Sequence, residues 1–288
     1  MDLAQLQALA AVVDEGSFDA AASALHVTPS AISQRIKALE QSTGQVLVRR
    51  ARPTAATDAG EAYVRLARQV DALVHEARAE TGVEATVTIP IAVNADSLAT
   101  WILPALATLP PTICFDLHRD DQAHTADLLR SGTVMAAITS DDRPVQGCRV
   151  ERLGSMRYRP MATPAVVERW FADGVDASSL AAAPVVVYDR KDDLQDAYLR
   201  RRSRSRLSPP RHHVPSSVEF ARAVLLGLGW GMLPDEQSLD AERDGRLVEL
   251  DPGQHVDVTL HWQQWTLRTP ALDAVAAAVR AAAADHLR

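Results

Sequence analysis

Four side chains that can donate or accept hydrogen bonds recur on one face of a predicted helix near the amino terminus. They follow a 3-1-3 spacing and are Ser30, Ser33, Gln34 and Lys37. On the other face, Ile32, Ile36 and Leu39 follow a spacing of four and three residues, which predicts burial. A narrow helix with hydroxyl, amide and ammonium groups on its outer side can enter the major groove of DNA and contact base edges. The same pattern is also typical of an amphipathic helix whose polar face is only solvated.

Basic residues concentrate around this helix, although the chain of 288 residues carries a formal net charge of −7. That acidic balance argues against a protein that coats nucleic acid over its whole surface. Between residues 26 and 57, Glu40 is the single acidic residue. The basic residues of the same stretch are Arg35, Lys37, Arg49, Arg50 and Arg52. Five positive charges minus one negative charge leave an excess of +4, which predicts one localised DNA-contacting surface.

Three predicted helices position this surface. The first covers residues 3–13 and the second residues 18–25. The third begins with Thr28 as its N-cap and Pro29 in its first position. A short turn at residues 26–28 therefore joins the second helix to the polar third helix.

The amino-acid sequence of this part of the chain resembles the signature of LysR-type transcriptional regulators. The resemblance lies in the segment GSFDAAASALHVTPSAISQRIKALEQSTGQVLVRRARPTAATDAG, with its PSAISQRI core, its VLVRR strand and its T-x-x-G ending. Val48 and Ala56 depart from the signature, because the family often has Phe and Leu at these points. The resemblance implies a winged helix-turn-helix domain over residues 1–57, with a wing strand at residues 45–50 and a wing turn at residues 51–56.

The same resemblance assigns contacts with double-stranded operator DNA to two elements. The contacts would come from Ser30, Ser33, Gln34, Arg35 and Lys37 of the recognition helix and from Arg49, Arg50 and Arg52 of the wing. Phosphate contacts by the wing arginines would position the protein without reading sequence, and they would make binding steeply dependent on salt.

A longer helix is predicted directly after the wing. Asp58 and Glu61 give it a start similar to a capping box. An apolar seam then recurs at 3-4-3-4 spacing, formed by Tyr63, Leu66, Val70, Leu73 and Ala77. Such a seam is typical of a coiled coil, but two heptads also fit a helix packed on a core. The resemblance favours a dimerisation linker over residues 58–84, with a hinge at residues 81–84, and therefore a homodimer or homotetramer on a pseudo-palindromic operator.

From residue 85 to residue 288, predicted strands and helices alternate, as in an α/β domain with a largely parallel sheet. The predicted strands cover residues 86–93, 113–118, 134–139, 158–162, 185–188 and 258–267, and the predicted helices cover residues 97–109, 125–132, 218–226 and 272–287. Pro90 fits the first strand only at an edge or an irregularity. The region is similar to the effector-binding domain of LysR-type regulators, which resembles periplasmic binding proteins. That similarity implies a subdomain I of residues 86–160 plus 259–288 and a subdomain II of residues 161–258.

In such sheets a ligand binds beyond the carboxyl ends of the strands, where loops and helix N-termini converge. Within the segments that this rule selects, the candidate effector-binding residues are Asn94, Asp96, Ser97, Thr100, Trp101, Thr139, Asp189, Glu219 and Trp230. The segment NADSLATWILPAL, together with DDQAHTADLLRSG, GCRVERLG and GLGWGMLP, resembles the lysine- and arginine-responsive branch of the family. Members of that branch activate the gene for a basic amino-acid exporter. The resemblance therefore implies L-lysine or L-arginine as the effector.

The polar and aromatic candidates suit an amino-acid ligand. Ser97 and Thr100, at a predicted helix N-terminus, offer hydroxyl and N–H groups to an α-carboxylate. Trp101 or Trp230 would flank the aliphatic stem, although Trp230 also fits an ordinary core position.

The acidic candidates suit the cationic groups of such a ligand, because ammonium and guanidinium groups require carboxylate partners. These candidates are Asp96, Asp189 and Glu219. Each has an ordinary explanation as well. Asp96 fits a helix cap, Asp189 a partner for the arginines near residue 200, and Glu219 a solvated acid in a first helical turn.

Other classes of protein find little support in the sequence. Cys114 and Cys148 have no metal-ligand spacing and fit reduced thiols. GLGWG has the wrong glycine spacing for a dinucleotide fingerprint, and no convergent nucleophile, base or metal cluster indicates an enzyme. His212-His213 and the run RRRSRSR fit a solvated surface better than a metal site or a DNA contact.

No run of about 18 uncharged apolar residues and no signal-like start occur, so we expect a cytoplasmic protein without a membrane partner. We expect no cofactor, and RNA polymerase as a further partner. Three alternatives stay open at this point. They are a LysR-type regulator of another pathway with a different effector, a solute-binding module without regulatory output, and an enzyme on an α/β scaffold.

Replacing Ser33 and Gln34 together with Ala is expected to weaken specific DNA binding by about tenfold or more, because hydrogen bonds to base edges carry discrimination. Nonspecific binding should stay nearly unchanged, because it depends on phosphate contacts. Fluorescence anisotropy with the DNA upstream of the gene itself and with a scrambled duplex measures both affinities. An equal loss on the two duplexes would contradict base readout by this face.

Overall fold

The computed structural model describes residues 1–82, 86–119 and 122–288. The first elements are α1 (Leu3–Asp14), α2 (Phe18–Ala24), α3 (Pro29–Thr43), β1 (Val48–Arg49), β2 (Ala55–Ala56) and α4 (Asp58–Glu80). The hydroxyl of Thr28 caps α3 by accepting the Ala31 N–H at 3.2 Å. Gly44 ends the helix in the left-handed conformation, with φ of 68°. Three helices and a two-stranded wing thus form the predicted winged helix-turn-helix.

The apolar face of α3 is buried as its spacing predicts. Ile32, Ile36 and Leu39 are each 0% exposed. They belong to one core cluster with apolar residues of α1 and with Val64 and Ala67 of α4. The linker helix therefore completes the core of the DNA-binding domain and is not a separate attachment to it.

The predicted seam of α4 divides into two halves. Tyr63, Leu66 and Val70 are partly buried against the core of the winged helix-turn-helix. Leu73 is 45% exposed, and Ala77 is exposed as well. The first half thus packs within its own domain, as the alternative of a core-packed helix requires, and the second half remains on the surface. Residues 83 and 84 of the predicted hinge lie outside the described residues.

The T-x-x-G sequence fastens the start of α4 to the wing. The Thr57 hydroxyl donates to the Val46 carbonyl at 2.7 Å and accepts the Gly60 N–H at 3.0 Å. The Thr57 N–H donates to the Leu47 carbonyl at 3.0 Å. A Cβ at Gly60 would lie 2.0 Å from that same carbonyl oxygen. Glycine is therefore required here for a close backbone approach.

The elements after the linker alternate between strands and helices. They are β3 (Val87–Val93), α5 (Ala95–Ala99), α6 (Ile102–Leu106), β4 (Ile113–Arg119), α7 (Gln122–Ser131), β5 (Ala136–Thr139), β6 (Cys148–Ala162), α8 (Pro164–Trp170), α9 (Ala177–Ala182), β7 (Val185–Val187), α10 (Leu194–Arg202), β8 (Arg211–His213), α11 (Ser217–Leu225), β9 (Gly231–Pro234), α12 (Asp235–Arg243), β10 (Val248–Glu249), β11 (Val256–Trp265) and α13 (Pro270–His286). The predicted α/β class of this region is confirmed.

The chain forms two compact units. Unit 1 comprises residues 1–93, 109–151 and 262–276, and unit 2 comprises residues 94–108, 152–261 and 277–288. The strands β6 and β11 and the helix α13 each run from one unit into the other. This division differs from the predicted subdomains in residues 94–108, 152–160, 259–261 and 277–288, which were predicted for subdomain I and group with unit 2.

In unit 1, β3 is flanked by β4 and β5, both parallel to it. Pro90 lies inside this central strand and not at an edge or an irregularity, one residue before the pairing with β5 begins. Its carbonyl accepts the Met135 N–H at 2.9 Å on the side of β5. In parallel pairing the N–H and carbonyl of one residue face the same neighbour, and β5 begins only opposite Ile91. The N–H that Pro90 lacks would therefore face the turn before β5, so no ladder bond is lost.

The single helix predicted for residues 97–109 is wrong. Two short helices, α5 and α6, occur instead, and Thr100 between them has φ of −117° and ψ of −80°. A continuous helix would need the residue-104 N–H to donate to the Thr100 carbonyl, and Pro104 has no N–H. The break places Trp101, which is 0% exposed, between the two helices.

In unit 2, β6 pairs antiparallel with β9 and with β10, whereas β7 and β8 pair parallel. The parallel sheet predicted for this region is therefore mixed. The sheet is mixed because β6 runs antiparallel to its neighbours β9 and β10. This strand is also longer than predicted, since it extends from Cys148 to Ala162 and the sequence pattern predicts a strand only at residues 158–162.

Replacing Gly60 with Ala is expected to destabilise the protein by about 1–3 kcal/mol, because the added methyl group collides with the Leu47 carbonyl. Helix propensity alone predicts the opposite, a gain of about 1 kcal/mol. Urea unfolding of the full chain measures the difference. Ala62→Gly, at an exposed position of the same helix, is the control and should cost about 1 kcal/mol. A more stable Gly60→Ala protein would contradict the close approach.

Candidate functional site

The predicted recognition face lies on the surface of the winged helix-turn-helix. Ser30, Gln34 and Lys37 are exposed, and Ser33 and Arg35 are partly exposed. Because their apolar neighbours on α3 are fully buried, the helix can present only this polar face to a partner. Its donors and acceptors suit the edges of bases in a major groove.

The wing places its three arginines at the surface, but the structure holds them differently. The Arg49 Nε–H donates to the Ala56 carbonyl at 3.1 Å, across the hairpin. The Arg50 guanidinium carbon lies 5.3 Å from the centroid of the Phe18 ring. Such stacking on a ring face is a cation–π contact. Arg52 is exposed.

Both neighbouring helical segments hold the wing in place. The Glu40 carboxylate of α3 accepts the Leu47 N–H at 2.9 Å. The Gly16 carbonyl, in the turn between α1 and α2, accepts the Thr54 N–H at 2.7 Å. Sequence reasoning identified Glu40 only as the single acid among basic residues and missed its structural role. The wing is thus fixed relative to the recognition helix.

The second candidate site is in unit 2 and centres on Asp96. Its carboxylate accepts hydrogen bonds from the Tyr158 hydroxyl at 2.7 Å and from the Ser217 hydroxyl at 2.6 Å. The Gln237 side chain donates in turn to the Ser217 hydroxyl at 2.8 Å. Burial and the neighbouring Asp96 charge raise the pKa of Tyr158 well above its usual value, so this hydroxyl stays protonated and donates. The donors to Asp96 in the described structure are therefore neutral.

A second carboxylate, Asp192, lies close enough to Asp96 for their charges to interact. Burial raises the pKa of Asp192, hydrogen bonds from the Tyr188 and Leu194 N–H groups oppose that shift, and the Asp96 charge adds to it. These two N–H groups donate at 3.0 and 3.1 Å. The sequence reasoning did not select Asp192, because in the run KDDLQ it is not distinguishable from its acidic neighbour.

Buried polar atoms without a protein partner lie in the same unit. Within the described chain they include Asn94 Oδ1, Ser97 Oγ, Trp101 Nε1 and Trp230 Nε1. Buried polar groups are normally hydrogen-bonded, so these atoms are available to a water molecule or a ligand. Four predicted effector-binding residues thus offer unused donors or acceptors.

The remaining predicted effector residues have other contacts. The Thr100 hydroxyl donates to the Asp96 carbonyl at 2.6 Å, and Asp189 accepts the Lys191 and Asp192 N–H groups at 2.7 and 2.9 Å. Glu219 is exposed and lies 3.5 Å from Arg222, one turn away. Thr139 lies in unit 1, where its hydroxyl accepts the Asp141 N–H at 3.2 Å.

Two further features bear on the possible class of the protein. In the described part of the chain, no group of three His, Cys, Asp or Glu side chains has an arrangement that could hold a metal ion. Among the same residues, no helix combines the length and the apolar character needed to cross a membrane.

Two family models together match almost the whole chain. Residues 3–61 match the model of the bacterial regulatory helix-turn-helix protein, lysR family, and residues 82–284 match the LysR substrate binding domain. The chain belongs to the LysR family. Residues 3–61 are therefore the DNA-binding region and residues 82–284 the substrate-binding region of a LysR-family protein, which is a transcriptional regulator and not an enzyme.

Individual relatives are similar over the full length. The lysine export transcriptional regulatory protein LysG of Corynebacterium glutamicum is 40% identical over 296 residues, covering 100% of both chains. The crystal structure of ArgP from Mycobacterium tuberculosis has a TM-score of 0.93 at 47% identity and covers 100% of this chain and 99% of that one. Full-length LysG from Corynebacterium glutamicum with bound effector Arg has a TM-score of 0.85 at 39% identity and covers 100% of both chains.

Removal of the Phe18 ring is expected to weaken DNA binding through Arg50. The Phe18→Leu protein should bind about two- to fivefold less tightly, the range expected for an exposed cation–π contact. In an Arg50→Ala background, which itself should lower the slope of log K against log salt by about 0.9, the Phe18 change should have no further effect. Anisotropy titrations over a range of salt concentrations measure both quantities.

The matched control combines Phe18→Leu with Arg52→Ala, where the effects should add because the two sites are independent. Phe18→Tyr keeps the ring and should restore wild-type binding. Additive effects of Phe18→Leu and Arg50→Ala would show that the ring does not hold the guanidinium for DNA.

Proposed function

We propose that this protein is a transcriptional activator that senses lysine or arginine and controls the gene for a basic amino-acid exporter. One relative at 40% identity is named as a lysine export regulator, and the structure of a relative at 39% identity has arginine as its bound effector. We further propose that it binds its operator as a homodimer or homotetramer, through the recognition helix and the wing.

The pair of carboxylates in unit 2 is the observation that carries this proposal. Asp96 accepts hydrogen bonds from two neutral hydroxyls, and Asp192 accepts them from backbone N–H groups. The raised pKa of Asp192 results from burial and from the nearby Asp96 charge. A cationic ligand would stabilise both carboxylates, because an opposite charge favours the ionised form.

The uncharged candidates complete the recognition of an amino acid. Asn94 Oδ1 and Ser97 Oγ are buried without protein partners, so they can bind the polar groups at the α-carbon. Trp101 and Trp230 are buried in the same unit, and the indole N–H of each has no hydrogen-bond partner among the described residues. A ligand of this kind shifts DNA binding only to the extent that it binds one arrangement of the protein more tightly than another.

Calorimetric titration of the full chain tests the effector. We expect saturable binding of L-lysine or L-arginine and none of L-leucine. Asp96→Asn and Asp192→Asn should each weaken binding by about tenfold or more, since a hydrogen bond to a charged group contributes about 1.5–3 kcal/mol. Glu219→Gln is the control, because Glu219 is exposed and pairs with Arg222, and it should bind as the wild type does.

The pH dependence of this binding has a definite sign. Because the pKa of Asp192 is raised in the free protein, a falling pH neutralises it earlier than an ordinary aspartate, and the cation loses a partner. Affinity should therefore fall as the pH is lowered through that pKa, and the Asp192→Asn protein should lack this part of the dependence. Binding of leucine, or of an aromatic acid alone, would favour a regulator of another pathway.

A further inference from the structure

Arg68 of the linker helix joins three elements of unit 1 through one side chain. Its guanidinium forms an ion pair with Asp14, the last residue of α1. Its Nη1 donates to the Ser131 carbonyl at 2.9 Å and to the Thr133 hydroxyl at 3.1 Å. The side chain is 19% exposed, so most of it is enclosed by these partners. The Arg68 guanidinium thus binds both the end of α1 in the DNA-binding domain and the turn between α7 and β5 in the effector domain.

The turn has a conformation that suits this contact. Gly132 has φ of 78°, and a Cβ on it would lie 3.0 Å from the Arg65 Cα. Glycine is therefore needed both for the left-handed conformation and for the close approach of α4. One turn before Arg68, the Arg65 side chain donates to the Gln146 carbonyl at 2.9 Å. Two arginines three residues apart thus face the effector domain from one side of the helix.

The contact between α4 and the effector domain is polar and incomplete. A cavity of about 770 Å³ lies beside it, lined by Arg68 and Thr133 and also by Asp71, Thr88 and Trp265. A contact made of a few hydrogen bonds beside a cavity can open at lower cost than a continuous apolar core.

The turn is also tied to the interior of the effector domain. Leu129 of α7 and Val134 after the turn are both 0% exposed and belong to one cluster with Ala137 of β5. That strand ends at Thr139, one of the predicted effector-binding residues. A shift of β5 or α7 would therefore move the acceptors of Arg68.

We propose that Arg68 is a coupling residue, which transmits the state of the effector domain to the DNA-binding domain. Its planar guanidinium holds Asp14 and the α7–β5 turn at the same time, which an ammonium group cannot do with the same geometry. Loss of the turn's acceptors removes the Arg68 bonds between the linker and the effector domain, and loss of Asp14 removes the carboxylate that orients the guanidinium toward that turn. The identity of the effector in this proposal rests on the proposed function, whereas the Arg68 contact itself does not.

The first test measures coupling in the full chain. Operator affinity is determined by anisotropy with and without L-lysine or L-arginine, and effector affinity by calorimetry without DNA. In the wild type the effector should change operator affinity by about fivefold or more, the usual scale of allosteric coupling. In Arg68→Lys and in Asp14→Asn this factor should fall to within about twofold of unity, while effector affinity without DNA stays within about threefold of the wild type.

Matched controls separate coupling from general damage. Arg130→Ala removes an exposed arginine of α7 whose partner is Asp127 three residues earlier, and Glu15→Gln alters the exposed neighbour of Asp14. Both should keep the wild-type factor. Since Asp14 is 47% exposed, Asp14→Asn should fold even where an Arg68 substitution does not. A wild-type factor in both Arg68→Lys and Asp14→Asn would overturn the proposal.

The second test needs no effector, because coupling between two sites is reciprocal. Operator DNA should change hydrogen–deuterium exchange of the α7–β5 turn in the wild type and not in Arg68→Lys. If the wild type binds neither amino acid, the proposed function fails and this exchange measurement alone decides about Arg68. An exchange response that is absent from the wild type, or the same in the variant, would overturn the coupling role.

Discussion

Val64 and Ala67 of α4 are buried in the core of the winged helix-turn-helix, and this packing holds the linker helix to the DNA-binding domain. Because both residues belong to α4, the linker helix cannot rotate against the recognition helix without opening a cavity in that core, which would cost several kcal/mol. The close approach of Gly60 to the Leu47 carbonyl fixes the start of the same helix against the wing. Recognition helix, wing and linker therefore behave as one rigid body.

Because of this rigidity, the linker can also connect the DNA-contacting face to the effector domain. Side chains on the outer side of α4 keep a fixed position relative to that face. Arg65 and Arg68 meet backbone carbonyls of the effector domain from that side. The core thus holds the helix by apolar packing, and the surface joins it to the effector domain by a small number of polar bonds. The first kind of contact is lasting, and the second is weak enough to be regulated.

The effector region depends on a different balance. Asp96 and Asp192 are held near each other although like charges repel and burial disfavours ionisation. Hydroxyl and N–H donors offset part of that cost, and a cationic ligand would offset more. Such a pair is a poor arrangement for stability alone, so it favours a binding role in a protein whose relatives include a structure with bound arginine.

Sequence patterns predicted most elements, because local signals fix them. The hydrophobic spacing of α3, its Thr28 cap and the T-x-x-G turn each depend on neighbours within a few residues, and each is present as expected. The single helix predicted for residues 97–109 was wrong for a local reason too. Pro104 has no N–H to donate to the Thr100 carbonyl, and the hydrophobic spacing alone does not reveal this missing hydrogen bond. The length of β6 was missed because Arg152, Gly154 and Pro160 occupy positions where an alternating strand would have apolar side chains.

The family, the DNA-binding domain and the candidate residues Asn94, Asp96, Ser97 and Trp101 could be predicted from the sequence, because they lie in continuous motifs. Which carboxylates lie close together became visible only in the folded chain. Asp192 joins Asp96 from almost a hundred residues away, whereas Glu219 remains at the surface beside Arg222. The same holds for Arg68 and its acceptors in the α7–β5 turn. Contacts of this kind follow from how distant segments pack, and no spacing within a single segment encodes them.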